Sequence, residues 1–123
     1  MGTNPAAGGD GVIERLQRAM NDHDVEGFLA NIDADYRSEQ PAHPERAFGG
    51  REQVRENWEA IFRDVPDFRA DLVRAAVDGD TVWAEWAWHG TRTDGSRLEM
   101  SGVTIFGVRA ERIVWGRLYR GDD

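Results

Sequence analysis

The chain contains no cysteine and no lysine. Without a thiol there is no disulfide, no thiolate nucleophile and no zinc–thiolate site. Without a lysine amine there is no Schiff-base chemistry; all fifteen basic residues are arginine. No apolar run approaches the roughly 20 residues that cross a bilayer. The formal net charge is −8. That balance argues against a nucleic-acid partner and against an anionic membrane surface, since both are held by clustered basic side chains. The first residues have neither the basic flank nor the apolar core of a signal peptide, so a cytoplasmic protein is expected. No two histidines have metal-ligand spacing, and neither a metal nor another cofactor is expected.

What is present suits one domain of 123 residues. Residues 1–10 are small and polar and read as a disordered lead-in, with the domain over 11–121. Asp10 is placed to cap a first helix whose stripe is Val12, Ile13, Leu16, Ala19 and Met20. Asp24 caps a second, with Val25, Phe28, Leu29 and Ile32 apolar. A short strand is expected over 36–40, a loop over 41–50, and a third helix over 51–63 carrying Val54, Trp58, Ile61 and Phe62. Strands are expected over 68–77, 81–89, 98–108 and 113–120. The intervening Asp78-Gly79-Asp80, Thr93-Asp94-Gly95 and Ala110-Glu111 are hairpin signals. Helices packed on one face of a curved, mainly antiparallel sheet make an α+β fold.

Residues 82–90 read Val-Trp-Ala-Glu-Trp-Ala-Trp-His-Gly, holding three of the five tryptophans. Alternation puts Val82, Ala84, Trp86 and Trp88 on one face and Trp83, Glu85, Ala87 and His89 on the other. Both faces carry large aromatics. One is expected to line an interior, the other to meet a second surface.

The order of elements resembles the nuclear transport factor 2-like superfamily, in its SnoaL-like and ketosteroid-isomerase-like branches. The carriers are Asp24-Val25-Glu26, Asp35-Tyr36 leading to Glu39-Gln40-Pro41, Gly50-Arg51-Glu52-Gln53-Val54, Val65-Pro66-Asp67-Phe68, Asp78-Gly79-Asp80-Thr81-Val82, Gly90-Thr91 and Glu111-Arg112-Ile113. The likeness implies a cone-shaped α+β barrel with a pocket between three helices and the sheet, and dimers through the sheet's outer face. By comparison with ketosteroid isomerases, the pocket residues would be Leu16, Met20, Tyr36, Ser38, Gln40, Trp58, Phe62, Trp86, Trp88, Ser101, Val103, Ile105, Gly116, Leu118 and Arg120. The outer, dimer-forming face would hold Trp83, Glu85, His89, Met100, Phe106, Trp115, Arg117 and Tyr119.

The same comparison removes the known chemistries. The isomerase base position falls on Gln40, its tyrosine on Leu16 and its second acid on Val103. An amide cannot take the proton, and the apolar pair cannot donate a hydrogen bond. A SnoaL-like cyclase's late aspartate would fall in Gly116-Arg117-Leu118-Tyr119-Arg120, with no carboxylate before Asp122. The Asp-Arg-Asp site of limonene-epoxide-hydrolase-like members has no counterpart. The remaining catalytic candidates are weak. Gln40 either binds a ligand carbonyl or satisfies its own surroundings. His43 is either an acid/base over the pocket mouth or an exposed loop histidine. Asp71 is expected in solvent, His23 as a solvated helix-end residue, and Glu85 outward beside an arginine such as Arg117.

The expectation is therefore a small-molecule-binding protein with a hydrophobic, tryptophan-lined pocket, acting as a homodimer. The alternative is a cofactor-independent enzyme of isomerase, cyclase, dehydratase or hydrolase type, working on a hydrophobic cyclic substrate with a non-standard acid/base.

Overall fold

The computed structural model describes residues 9–121. In chain order it has α1 (Gly9–Asp22), α2 (Val25–Leu29), β1 (Ile32–Glu39), a 3-10 turn (Pro44–Arg46), β2 (Phe48–Gly49), α3 (Arg51–Asp64), β3 (Arg69–Asp78), β4 (Thr81–Thr91), β5 (Arg97–Arg109) and β6 (Arg112–Arg120). The strands form one sheet in the order β2-β1-β6-β5-β4-β3. Its pairs are antiparallel except β1 with β6, which run parallel. This is an α+β fold of three α-helices and a six-stranded mixed sheet.

Three details differ from the sequence reading. α1 begins at Gly9, so the expected lead-in does not reach residues 9 and 10; over 1–8 that expectation lies outside the described residues. Ile32 opens β1 rather than closing the second helix, and the expected loop over 41–50 contains the 3-10 turn and β2.

The apolar stripe of α1 is the centre of the core: Val12, Ile13, Leu16, Ala19 and Met20 are all buried, as the helical period requires. Asn21 fastens its end to β3. The Ala70 N–H donates to Asn21 Oδ1 at 2.7 Å, and Asn21 Nδ2 donates back to the Ala70 carbonyl at 3.1 Å. His23 is not a solvated end residue. Its ring stacks on Phe62 at 4.5 Å and its Nε2–H donates to the Phe68 carbonyl at 2.9 Å; a carbonyl only accepts, which fixes the tautomer. Asp24 caps α2, its Oδ1 accepting from the Gly27 N–H at 2.9 Å. Buried Asn31 ties three elements together, donating to the Gly27 carbonyl and accepting from Arg15 Nε through its side chain, and accepting from the Ile113 N–H through its backbone.

The hairpins fall where the turn residues stood. Gly79 and Gly95 adopt φ of 60° and 90°, the left-handed backbone that glycine enters without strain. The β5–β6 turn takes the same region at Ala110 and Glu111, with φ of 53° and 63°.

Candidate functional site

The sheet's pairing decides which side chains face the helices. Across β4 and β5, Val82 pairs with Phe106, Ala84 with Thr104, Trp86 with Gly102 and Trp88 with Met100. Directly opposed residues share a face, so these eight lie together on the helix side. Phe106, Thr104 and Gly102 in turn pair with Gly116, Leu118 and Arg120 of β6. Ser38 of β1 pairs with Gly116, which brings Tyr36, Ser38 and Gln40 to the same side.

A cavity of about 430 Å³ lies between this face and the helices. Its apolar walls come from Phe28 of α2, Val54, Trp58 and Ile61 of α3, and Ile32, Phe48, Trp88, Phe106 and Leu118 of the strands. The aromatic rings are interlocked: Trp58 sits 4.9 Å from Phe28 and 5.6 Å from Phe68, and Tyr36 meets Phe48 edge-on at 6.2 Å. Tyr36, Ser38, Gln40, Asn57, Thr104, Arg117 and Arg120 supply its polar atoms, with Ala60 and Gly116 completing it. Glycines make the room. A Cβ on Gly116 would stand 2.7 Å from the Tyr36 hydroxyl, and one on Gly102 would stand 2.9 Å from the Trp88 ring. Burial pushes the Tyr36 phenol above its ordinary pKa, opposed by a hydrogen bond with Ser38, so the group stays neutral and able to donate.

Residues 13–115 match the SnoaL-like domain. The chain belongs to the SnoaL-like family. No curated protein matches it. Among solved structures, a nuclear transport factor 2-like protein from Anabaena variabilis superposes with a TM-score of 0.81 at 20% identity, over 100% of this chain and 96% of that one. An LEH-like epoxide hydrolase from M. tuberculosis gives 0.79 at 18%, over 95% and 84%. A protein of ketosteroid isomerase-like fold from Catenulispora acidiphila, in complex with trimethylamine, gives 0.77 at 17%, over 88% and 83%. At these identities the likeness is one of fold.

In this SnoaL-like chain the expected pocket set divides. Tyr36, Ser38, Gln40, Trp58, Trp88, Gly116, Leu118 and Arg120 line the cavity. Leu16, Met20 and Trp86 belong to the buried core instead, and Phe62 packs against it. Trp86 stacks beside Trp88 at 6.3 Å and donates its Nε1–H to Thr104 Oγ1 at 2.9 Å. Ser101, Val103 and Ile105 are corrected: they pair with Ala87, Glu85 and Trp83 on the outer face. Met100 and Phe106, expected outside, are corrected the other way, since they oppose Trp88 and Val82. Both faces of β5 are rich in apolar residues, so period-two patterning alone did not set its parity. Thr104 and Phe106 are the cavity residues lost by that slip. Phe28, Ile32 and Phe48 were missed because two were assigned to core-facing helix positions and one to a loop.

On the outer face lie Trp83, Glu85, His89, Trp115, Arg117 and Tyr119. Glu85 is paired with Arg74 of β3 at 3.2 Å, not with Arg117. Arg117 pairs with Glu39 at 3.0 Å and lies 5.7 Å from the Trp115 ring, while also contributing to the cavity lining. Asp71 is exposed and accepts from His89 Nε2 at 3.0 Å. His43 lies 3.6 Å from Glu45 before the 3-10 turn and is not among the cavity-lining residues. Among the described residues no group of three His, Asp or Glu is arranged to hold a metal, and no helix is long and apolar enough to cross a membrane.

Proposed function

We propose that this SnoaL-like protein binds a hydrophobic small molecule in the tryptophan-lined cavity between its helices and sheet, the chain enclosing the ligand as a cone-shaped barrel. One observation carries the reading. The cavity walls are aromatic and aliphatic, yet no Asp, Glu or His lines it among the described residues. A volume of about 430 Å³ suits a drug-sized molecule. The rival reading, a cofactor-independent enzyme, needs an acid/base within hydrogen-bond reach of the reacting atoms, and Gln40, the residue at the isomerase base position, cannot serve as one.

The test is a titration with a library of flat hydrophobic compounds, read by tryptophan fluorescence and thermal shift. Binders should quench Trp58 and Trp88, and replacing either with Leu should reduce the quenching. A library that gives neither quenching nor a thermal shift would sink the binding reading. Turnover of a bound compound would move the protein to the enzyme class.

The same proposal includes a homodimer through the outer sheet face. Trp83 is 46% exposed and Tyr119 40% exposed on that face, and each offers a large ring to a partner. A two-fold contact would cover both copies of the face.

A further inference from the structure

Gln40, Thr104 and Tyr36 present donors among the cavity's polar groups. Arg46 Nη1 donates to Gln40 Oε1 at 3.1 Å. A guanidinium has no acceptor, so that end of the amide must be its oxygen. Arg46 is not a lining residue and Gln40 is, which leaves the NH2 group as the end available to the cavity. Thr104 repeats the pattern. Its Oγ1 accepts the indole N–H of Trp86, a core residue, and its one hydroxyl hydrogen remains to be given elsewhere. The Tyr36 phenol keeps its proton through burial. No carboxylate lines the cavity among the described residues.

We infer that the cavity is a donor array selecting an apolar ring compound that bears a carbonyl oxygen, as a ketone or a carboxylate, over one that bears an amine. The inference rests on the cavity being a binding site. A ligand oxygen would meet N–H and O–H groups on β1 and β5, while its ring lay against Trp58 and Trp88. An ammonium group would face the same donors with no anion to balance it, at the cost of its own hydration. Among the described lining side chains, the aromatic faces and the Ser38 hydroxyl are what an ammonium could use, and neither supplies a negative charge.

Four naphthalenes of similar size separate these outcomes by calorimetric titration of the intact protein: 2-acetylnaphthalene, 2-naphthoate, 2-ethylnaphthalene and 2-naphthylmethylamine. The acetyl compound or the naphthoate should bind about ten-fold more tightly than the ethyl compound, the worth of one to two net hydrogen bonds, and the amine should bind no better than the ethyl compound. Preference for acetyl points to a neutral ketone, and preference for naphthoate to a carboxylate; either supports the array. Gln40→Leu should narrow the gap between the acetyl and the ethyl compounds; an unchanged gap would remove Gln40 from the array. Equal affinity across the four, or tightest binding by the amine, overturns the donor array and leaves the cavity reading standing. Binding by none overturns both.

Discussion

Trp88 of β4 lies against Gly102 of β5, its ring filling the space that a side chain at 102 would take. A Cβ there would come within 2.9 Å of Trp88 Cζ3 and 2.6 Å of the Tyr119 carbonyl oxygen. The second neighbour is backbone and cannot swing away. Gly102→Ala should therefore cost about 1–3 kcal/mol, the usual range for overpacking, in urea denaturation. An unchanged midpoint would mean that the wall yields freely at this point.

Stability should fall at both ends of the pH scale for different reasons. Burial raises the Tyr36 pKa above its ordinary value. The unfolded chain gives up this proton near pH 10, whereas the folded state holds it, so the contribution is complete below that pH and is lost as pH rises through the folded value. Tyr36→Phe should lose less stability above pH 10 than the parent protein. At the acid end Glu26 is lowered by Arg55, Asp67 by the Thr91 backbone N–H and Asp94 by Ser96. These contributions are present above the ordinary carboxylate range and are lost as pH falls through the depressed values. Thermal midpoints from pH 2 to 11 would show the plateau between; a flat alkaline limb in the parent protein would refute the Tyr36 assignment.

The β5–β6 turn holds two non-glycine residues, Ala110 and Glu111, at positive φ. Left-handed backbone costs an ordinary L residue about 1–2 kcal/mol, and an Asn-Gly pair suits such a turn best. The double variant Ala110→Asn with Glu111→Gly should gain about 1 kcal/mol. It retains the Glu111 carbonyl that accepts from Arg15 Nη2. The 3.9 Å Arg15–Glu111 contact that it gives up involves an exposed carboxylate and is worth little. Differential scanning calorimetry should show a raised midpoint.

Asn21 hydrogen-bonds both the N–H and the carbonyl of Ala70, and Gln17 Nε2 shares the carbonyl at 3.1 Å. Asn21→Ala leaves a buried N–H without its acceptor and should cost about 1–3 kcal/mol. Faster amide exchange at Ala70 should accompany the loss. Unaltered exchange would show that another group takes over.

The proposed dimer predicts a light-scattering mass near twice that of one chain at micromolar concentration. Trp83→Arg should return it to a single chain without altering binding in the cavity, since Trp83 and the cavity occupy opposite faces of β4. A monomeric parent protein would leave Trp83 and Tyr119 as solvent-facing aromatics and end the dimer proposal.

The α+β architecture was legible because its signals are local. Val12, Ile13, Leu16, Ala19 and Met20 recur at helical spacing, Asp24 is a capping residue, and Gly79 and Gly95 mark their turns. The site was legible only in part, because its boundaries are set by contacts far apart in sequence. Trp86 and Trp88 are indistinguishable by period, yet Trp86 is covered by the core and Trp88 reaches the cavity. Met100, Gly102, Thr104 and Phe106 alternate with Ser101, Val103 and Ile105, and neither set is polar enough to declare itself the outer one. The β4–β5 register, in which Trp86 stands opposite Gly102, resolves them. His23 looked solvated because Phe62 and Phe68, which receive it, lie about 40 positions downstream.

The parallel pairing of β1 with β6 has a consequence for biogenesis. β6 is the last described strand to leave the ribosome, yet it occupies the middle of the sheet, between β1 and β5. During translation β1 can find only the two-residue β2 as a sheet partner, and most of its edge stays open. The sheet cannot become continuous until Arg112–Arg120 has cleared the exit tunnel. A nascent chain stalled before that point would expose a strand edge and an unfinished core, the kind of aggregation-prone surface that chaperones exist to cover.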